Sequence, residues 1–232
     1  MFPTQTMWLF DLDNTLHRAD AGIFQLINRA MTAFLAERLH LNEQAASDLR
    51  QQYWHQYGAT LAGLQQHHPE IDVMDFLRAS HPLPEIEPLI QAEDDIRTTL
   101  ARLPVAKAVF SNGPSFYVRH ILHHLGIQDC FQATFGIDDV GLASKPEPLA
   151  YQRVCTQLGC TPAQCVLIDD SAANLQTAKA LGMGTIWFDR HAHELPFVDA
   201  CASSLSQLAQ WLPPANPDGT GKQPDDCTNQ RQ

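Results

Sequence analysis

Seven polar residues of the chain could perform chemistry, and each follows an apolar run or precedes a predicted helix. They are Asp11 and Asp13 after MWLF, Ser111 and Asn112 after VAKAVF, Lys145 within SKPEP, and Asp169 and Asp170 after CVLI. Because burying an unpaired carboxylate is costly, aspartates at the ends of apolar runs need compensating positive charge. We therefore expect a bound cation beside them, with Lys145 as a second positive charge.

These residue types are suited to phosphoryl transfer. Clustered carboxylate oxygens are ligands that Mg²⁺ accepts, and the ion leaves room for a phosphate oxygen. A carboxylate can attack a phosphate whose charge is neutralised, so Asp11 is predicted to be the nucleophile that forms an aspartyl-phosphate. Asp13 could reach the leaving oxygen as a general acid and then act as general base for the hydrolytic water. Ser111 supplies a hydrogen-bond donor.

The elements that position these residues alternate between strands and helices from Leu103 onward. Strands are predicted at residues 7–10, 105–110, 133–136, 165–169 and 184–188. Gly126, Gly159 and Gly182 follow the intervening helices, where helix C-caps are expected. This alternation predicts an α/β fold with a doubly wound parallel sheet. Ligands bind beyond the carboxyl ends of such strands, so the polar residues are expected to converge there.

A long helical stretch separates the first strand from the others. From about Ala21 to Leu100, apolar residues recur at helical spacing, and a last helix of this stretch is predicted from Pro88 to Leu103. We expect residues 1–16 and 101–212 to form the α/β core and residues 17–100 to form an all-helical insertion. Residues 213–232 are polar and lack periodicity, so they are predicted to be a disordered tail.

Composition limits the classes of function. The formal net charge of −11 argues against a nucleic-acid polymer as partner, because phosphate backbones favour Lys and Arg. No apolar run reaches the length of a membrane span, and the first residues lack a basic signal region, so we expect a cytoplasmic protein without membrane association. We expect a monomer or a homodimer. Six scattered cysteines without a C-x-x-C pair predict reduced thiols rather than a disulfide framework or a zinc site.

Four stretches, DLDNT, SNG, SKPEP and IDDSAANL, resemble in order and spacing the four motifs of the haloacid-dehalogenase-like hydrolase superfamily. The resemblance implies the strand order 5-4-1-2-3, a helical cap over the site and Mg²⁺ as cofactor. It also implies a role for each matched position. Asp11 matches the nucleophile, which is also a metal ligand, and Asp13 matches the acid and base, whose backbone carbonyl binds the metal. Ser111 and Asn112 match phosphate-binding residues, and Lys145 matches the lysine that steadies nucleophile and phosphate. Asp170 matches a direct metal ligand, and Asp169 matches a ligand that acts through water. An aspartate at position 13 separates the phosphatases of this family from its dehalogenases.

Part of the predicted insertion resembles one branch of that superfamily. The stretch YWHQYGATLAGL (53–64), together with FLRASHPL (76–83), is similar to the pyrimidine 5'-nucleotidase-like branch. The resemblance implies substrate contacts from four residues of the cap, namely Tyr53, Tyr57, Thr60 and Gly63. Aromatic rings there could stack on a base. The alternative is that Tyr53 and Tyr57 are core residues and that Gly63 permits close packing.

The predicted function is a Mg²⁺-dependent phosphatase that acts on a small phosphorylated metabolite, with a pyrimidine nucleoside 5'-monophosphate as the substrate. Two alternatives remain open. One is a phosphatase or phosphomutase for another small phosphometabolite, such as a sugar phosphate or phosphoglycolate. The other is a catalytically silent binding module.

Overall fold

Within the described residues, six parallel strands form one sheet in the order β3-β2-β1-β4-β5-β6. The structure, a computed structural model, describes Phe2 and residues 7–92 and 95–212. The strands are β1 (Met7–Phe10), β2 (Ala106–Phe110), β3 (Ala133–Phe135), β4 (Cys165–Asp169), β5 (Gly184–Phe188) and β6 (Ala200–Ala202). The predicted α/β fold with a parallel sheet is confirmed.

The sheet has one strand more than the sequence predicts. Strand β6 pairs with β5 and forms the edge of the sheet beyond it. The predicted order 5-4-1-2-3 therefore lacks this sixth strand. Because β6 is only the three residues ACA, neither an apolar run nor an alternating pattern marks it in the sequence.

The helices fall into two groups along the chain. Between β1 and β2 lie α1 (Ile23–Arg38), α2 (Glu43–Tyr57), α3 (Thr60–His67), α4 (Val73–Ser80), α5 (Leu83–Ile86) and α6 (Ile96–Ala101). After β2, the helices α7 (Ser115–His124), α8 (Pro148–Leu158) and α9 (Ala172–Ala180) alternate with the strands. The predicted helix from Pro88 to Leu103 is wrong in its first half. Asp95 adopts a positive φ of 53°, so the α-helix begins only at Ile96.

Alternate residues of β1 face opposite layers of helices. Trp8 and Phe10 belong to a hydrophobic cluster that includes residues of α7 and of the 3₁₀ helix Leu205–Trp211. Leu9 belongs to a second cluster, which includes residues of α8 and α9. Since successive side chains of a strand point to opposite faces, helices cover both sides of the sheet.

The helices between β1 and β2 enclose a hydrophobic cluster of their own. Phe34 of α1, Leu61 of α3 and Phe76 of α4 are buried in it. Ile137, two residues after the end of β3, belongs to the same cluster. The helical segment therefore packs against the loop that leaves the carboxyl end of β3.

The predicted domain boundaries, with residues 1–16 and 101–212 as core and 17–100 as insertion, stay a prediction. The predicted disordered tail, residues 213–232, lies outside the described residues. In the described part of the chain, no helix combines the length and the apolar character needed to cross a lipid bilayer.

Candidate active site

The carboxyl ends of β1, β2 and β4 lie side by side. Strand β1 is between the other two, and Phe10 is in register with Val109 on one side and with Ile168 on the other. The amide of Asp11 donates a hydrogen bond to the Ile168 carbonyl at 2.9 Å. Because the three strands end at the same level, the polar residues that follow them share one edge of the sheet.

Lys145 joins two of the aspartates through its ammonium group. Its Nζ lies 2.8 Å from Oδ1 of Asp11 and 2.7 Å from Oδ2 of Asp169. Lys145 is 2% exposed and Asp169 is fully buried, so both contacts are shielded from water. Burial acts to lower the pKa of Lys145, but the two carboxylates outweigh it and hold this pKa above its usual value. The amine is therefore charged, and it offsets negative charge at Asp11.

Asn112 holds the main chain of Lys145 in place. Its Nδ2 donates to the Lys145 carbonyl at 2.8 Å, and its Oδ1 accepts from the Lys145 amide at 2.7 Å. The sequence predicts that Asn112 binds phosphate, whereas both ends of its side-chain amide are engaged here. These two contacts use only one of the two N–H groups of Nδ2, and phosphate binding by this residue stays a prediction.

Asp169 is surrounded by donors from the protein. The Ser171 amide donates to its Oδ1 at 2.8 Å, and Nδ2 of Asn174 lies 3.0 and 3.1 Å from the two carboxylate oxygens. Lys145 contacts Oδ2 as well. This carboxylate is therefore placed to orient Lys145, and a direct bond to a metal ion would cost it one of these contacts.

Asp11 and Asp170 carry negative charge that the protein does not fully compensate. Carboxylate oxygens of Asp11, Asp169 and Asp170 all lie within 4.8 Å of one another. Burial raises the pKa of Asp11 well above its usual value, and the neighbouring aspartates add to this against the opposing charge of Lys145. Burial and the charge of Asp169 raise the pKa of Asp170 to about 6. Hard oxygen donors with excess negative charge fit a magnesium ion, which Asp11 and Asp170 would hold.

The carboxylate of Asp13 has a separate set of partners. The Tyr117 hydroxyl donates to its Oδ1 at 2.6 Å, and Nε2 of His17 lies 3.0 Å from the same oxygen. Burial acts to raise the pKa of Asp13, but the contacts with His17 and Tyr117 outweigh it and hold this pKa below its usual value. Because both contacts end on Oδ1, Oδ2 is the oxygen that remains for a reacting group. The predicted metal contact through the Asp13 backbone carbonyl stays a prediction.

Ser111 directly follows the last residue of β2 and is 1% exposed. Its Oγ accepts a hydrogen bond from the Gly113 amide at 2.9 Å, so the hydroxyl proton remains to be donated. A Cβ on Gly113 would lie 2.7 Å from Cδ1 of Tyr117 and 3.3 Å from the Ser111 Oγ. The glycine therefore allows Tyr117 and Ser111 to approach the same point.

Tyr117, His17 and Asn174 belong to the site although no sequence pattern predicted them. His17 follows Asp13 by four residues, and a search for donors near the aspartates could have found it. Tyr117 is 104 residues from Asp13 along the chain, and it is one of several buried residues of α7. Only the fold brings its hydroxyl to the site.

Two of the residues predicted to contact substrate, Tyr53 and Gly63, pack tightly between α2 and α3. Tyr53 is 4% exposed, and its ring stacks on His67 with centroids 5.4 Å apart. Its hydroxyl lies 3.0 Å from Nε2 of His68. A Cβ on Gly63 would lie 2.3 Å from Cγ of Tyr53, so the glycine permits this close packing.

The other two have partners in the same segment. The Tyr57 hydroxyl lies 2.6 Å from Nε2 of His67, and the buried Thr60 hydroxyl donates to the Arg50 carbonyl at 3.3 Å. These contacts give Tyr53, Tyr57, Thr60 and Gly63 a structural role. Their contact with substrate stays a prediction.

A comparison with protein families identifies the family of the chain. The family described as haloacid dehalogenase-like hydrolase matches residues 8–182. The chain belongs to this family. All the site residues described above lie inside the match, and the predicted superfamily is confirmed. The match does not show whether the chain belongs to the pyrimidine 5'-nucleotidase-like branch or to another branch of the family.

Two curated relatives cover most of the chain. Phosphate metabolism protein 8 of Saccharomyces cerevisiae is 26% identical over 200 residues, which are 79% of this chain and 61% of that protein. The phosphoglycolate phosphatase of Pectobacterium atrosepticum is 27% identical over 188 residues, 76% of this chain and 77% of that protein. The chain thus spans less than two thirds of the yeast relative.

A solved structure with the same fold is that of a phosphatase of this family from Thermococcus onnurineus. It superposes with a TM-score of 0.65 and covers 88% of this chain and 96% of its own. Its sequence is 22% identical, so the likeness shows the fold alone.

Proposed function

We propose that the chain is a Mg²⁺-dependent phosphatase that hydrolyses the phosphate monoester of a small metabolite through an aspartyl-phosphate on Asp11. The observation that carries this proposal is the contact between Asp11 and the buried, charged Lys145. It supplies a nucleophile beside fixed positive charge, and the nearby Asp13 supplies a group that can transfer a proton. The name of the Pectobacterium relative agrees with this chemistry.

In the first step, a bond forms between a carboxylate oxygen of Asp11 and phosphorus while the bond from phosphorus to the leaving oxygen breaks. Lys145 offsets the charge that develops, and Ser111 donates to a phosphate oxygen. Asp13 gives a proton to the leaving oxygen, so the product departs as an alcohol. Its pKa is low in the free protein, and the negative charge of a bound phosphate raises this pKa towards the protonated form. When bound, a magnesium ion supplies further positive charge to the phosphate oxygens.

In the second step, Asp13 as carboxylate takes a proton from water, and the water oxygen attacks phosphorus. The bond between phosphorus and Asp11 breaks, which releases inorganic phosphate and restores the carboxylate. His17 and Tyr117 hold Asp13 by Oδ1, so Oδ2 carries the proton in both steps.

The Asp13 geometry favours a phosphatase over a dehalogenase within the family. A halide departs as an anion and needs no proton, whereas an alkoxide leaving group benefits from a general acid. Asp13 is fixed by two partners and keeps one carboxylate oxygen available for proton transfer.

We propose a pyrimidine nucleoside 5'-monophosphate as the substrate, on the resemblance of residues 53–64 and 76–83 to the nucleotidase-like branch. A second candidate is a smaller phosphometabolite, such as phosphoglycolate or a sugar phosphate. The contacts of Tyr53 favour the second candidate, since its ring already stacks on His67. The phosphoglycolate phosphatase among the relatives also favours it.

We also propose that residues 17–100 act as a cap on a core of residues 1–16 and 101–212. The support is Ile137, which lies just beyond the carboxyl end of β3 and packs in the cluster of the helical segment. A cap at this edge would exclude water during phosphoryl transfer and readmit it for hydrolysis.

The test is phosphate release from a panel of phosphate monoesters, with and without Mg²⁺. The panel holds UMP, CMP, purine monophosphates, sugar phosphates and phosphoglycolate, and Asp11→Asn is the matched control. Magnesium-dependent release that Asp11→Asn abolishes is the expected result, and the preferred member of the panel decides between the two substrate candidates. Release that Asp11→Asn leaves intact, or folded wild-type protein that binds the panel without turnover, would contradict the proposal.

A further inference from the structure

Three of the cysteines meet at the end of β4 that is remote from the carboxylates. Cys155 lies in the last turns of α8, Cys160 follows the C-cap Gly159, and Cys165 is the first residue of β4. Cys165 and Asp169 are four positions apart in β4, which is about 13 Å along a strand. The three cysteines are therefore distinct from the candidate active site.

Their sulfur atoms are close enough to share one ion. Sγ of Cys165 lies 3.3 Å from Sγ of Cys160 and 3.9 Å from Sγ of Cys155. All three sulfurs lie within 4.8 Å of one another. A metal ion bonded to three thiolates at about 2.3 Å each would hold them roughly 4 Å apart. The Cys155–Cys165 separation already matches this spacing, and the Cys160–Cys165 separation is shorter by about 0.7 Å.

We propose that Cys155, Cys160 and Cys165 bind one thiophilic d¹⁰ metal ion, Cu(I) or Zn²⁺, through three sulfur bonds. Thiolates are soft ligands that select these ions over hard ions such as Mg²⁺. Within residues 7–92 and 95–212, the group of candidate ligands around these sulfurs contains only the three cysteines. Three sulfurs complete the coordination of Cu(I), whereas Zn²⁺ would need a water as its fourth ligand.

Burial and hydrogen bonding suit such a site. Cys155 and Cys165 are buried, and the partly exposed Cys160 gives an ion a path from solvent. Each thiol that binds loses its proton to solvent, including the proton that Cys165 donates to the Thr161 carbonyl.

The bound ion would join the end of α8 to the start of β4. Because the unfolded chain lacks a preformed site, binding stabilises the folded protein. Phosphate release at Asp11 is not needed to detect this, so failure of the proposed phosphatase function leaves the metal proposal intact.

The test is titration of the fully reduced protein, without oxygen, with Cu(I) against a chromophoric chelator and separately with Zn²⁺ against a zinc dye. All proteins carry Cys227→Ser, so that this sixth cysteine adds no ligand. The variants are Cys160→Ser, which changes a partly exposed position, and Cys155→Ala. The matched control is Cys130→Ser, which removes a free thiol outside the cluster.

We expect the protein with all three cysteines to bind one equivalent of Cu(I) or Zn²⁺. Its affinity for the metal should fall at least about a hundredfold in Cys160→Ser and in Cys155→Ala and stay the same in Cys130→Ser. X-ray absorption at the metal edge should then show three sulfur neighbours at about 2.3 Å. Melting temperatures without metal check that the variants fold. Equal affinities of wild type and Cys160→Ser for both ions, or fewer than three sulfur neighbours, would overturn the proposal.

Discussion

The Nζ of Lys145 lies 2.8 Å from Oδ1 of Asp11, and both groups are almost completely buried. A buried charge needs a partner, and here each residue is a partner of the other. The arrangement keeps a positive charge fixed beside the carboxylate that we propose as nucleophile. It therefore links the stability of the fold to the proposed chemistry.

We expect Lys145→Met to destabilise the protein by about 3 kcal/mol, because Asp11 and Asp169 are left buried without a cation. Phosphate release should fall at least about a hundredfold, since the charge that faces the phosphate is lost. Urea unfolding and steady-state kinetics measure the two effects. The matched control is Lys179→Met, whose ion pair with Asp199 is exposed and should contribute less than about 1 kcal/mol. An equal loss of stability in the two variants would contradict the role of the buried pair.

We expect Asp170→Asn to raise the Mg²⁺ concentration for half-maximal activity at least about tenfold, because it removes one of the two charged oxygen ligands we propose. Asp169→Asn should act differently. It removes a partner of Lys145 and should lower the free energy of unfolding more than it changes Mg²⁺ dependence. Activity measured across a Mg²⁺ series checks both. Should Asp169→Asn weaken Mg²⁺ more than Asp170→Asn, the proposed ligand assignment is wrong.

We expect Tyr117→Phe to slow the hydrolysis of an alkyl phosphate by about tenfold, because Asp13 loses a hydrogen bond that orients it for proton transfer. The aryl ester p-nitrophenyl phosphate has a leaving group that needs no proton, so the rate at which it transfers its phosphoryl group to Asp11 should change little. The comparison of single-turnover rates of leaving-group release for the two substrates is its own control, because the later hydrolysis of the aspartyl-phosphate is common to both. Equal slowing of both would show that Tyr117 acts on the fold and not on proton transfer.

A pH-dependent contribution to stability is expected from Asp199, away from the site. Its Oδ2 accepts from the amide and hydroxyl of Thr185 at 2.9 and 3.0 Å, and its Oδ1 pairs with Lys179. Burial opposes these contacts, but they hold the pKa of Asp199 below its usual value. The stabilisation is therefore present above the unfolded-state pKa of about 3.9 and is lost as pH falls through the lower folded-state pKa.

We accordingly expect Asp199→Asn to lower the free energy of unfolding by roughly 1 kcal/mol at pH 7, a value kept small because Asp199 is partly exposed. The difference from wild type should narrow as pH falls below the unfolded-state pKa of about 3.9. Urea unfolding at pH 7, 5 and 3 measures it. A gap that stays constant over this range would contradict the proposed role of the carboxylate.

The strand-end residues were predictable because a parallel sheet brings the carboxyl ends of its strands together. The apolar run before Asp11 and the run that ends in Asp169 mark β1 and β4 with the bounds that the structure has. Their convergence follows from topology alone. Only the identity of the contacts, such as Lys145 between the two aspartates, required coordinates.

The unpredicted features depend on distance in the fold and not on local pattern. Tyr117 reaches Asp13 from α7, and the thiols of Cys155 and Cys165 meet although the two residues are ten positions apart in the sequence. The short strand β6 lacks a pattern long enough to recognise. The predicted substrate contact of Tyr53 illustrates a different limit. Helical spacing indicates which face of a helix an aromatic residue occupies. It does not indicate whether that face packs against the rest of the protein or contacts a substrate.

The central claim is that Asp11 forms a covalent bond to phosphorus. The direct measurement is rapid acid quenching of the protein with Mg²⁺ and p-nitrophenyl phosphate, followed by mass spectrometry of the peptide that contains Asp11. The account predicts a phosphorylated Asp11 in wild type, more of it in Asp13→Asn because hydrolysis lacks its base, and none in Asp11→Asn. Phosphate release by the wild type with no phosphorylated Asp11 in Asp13→Asn would contradict it.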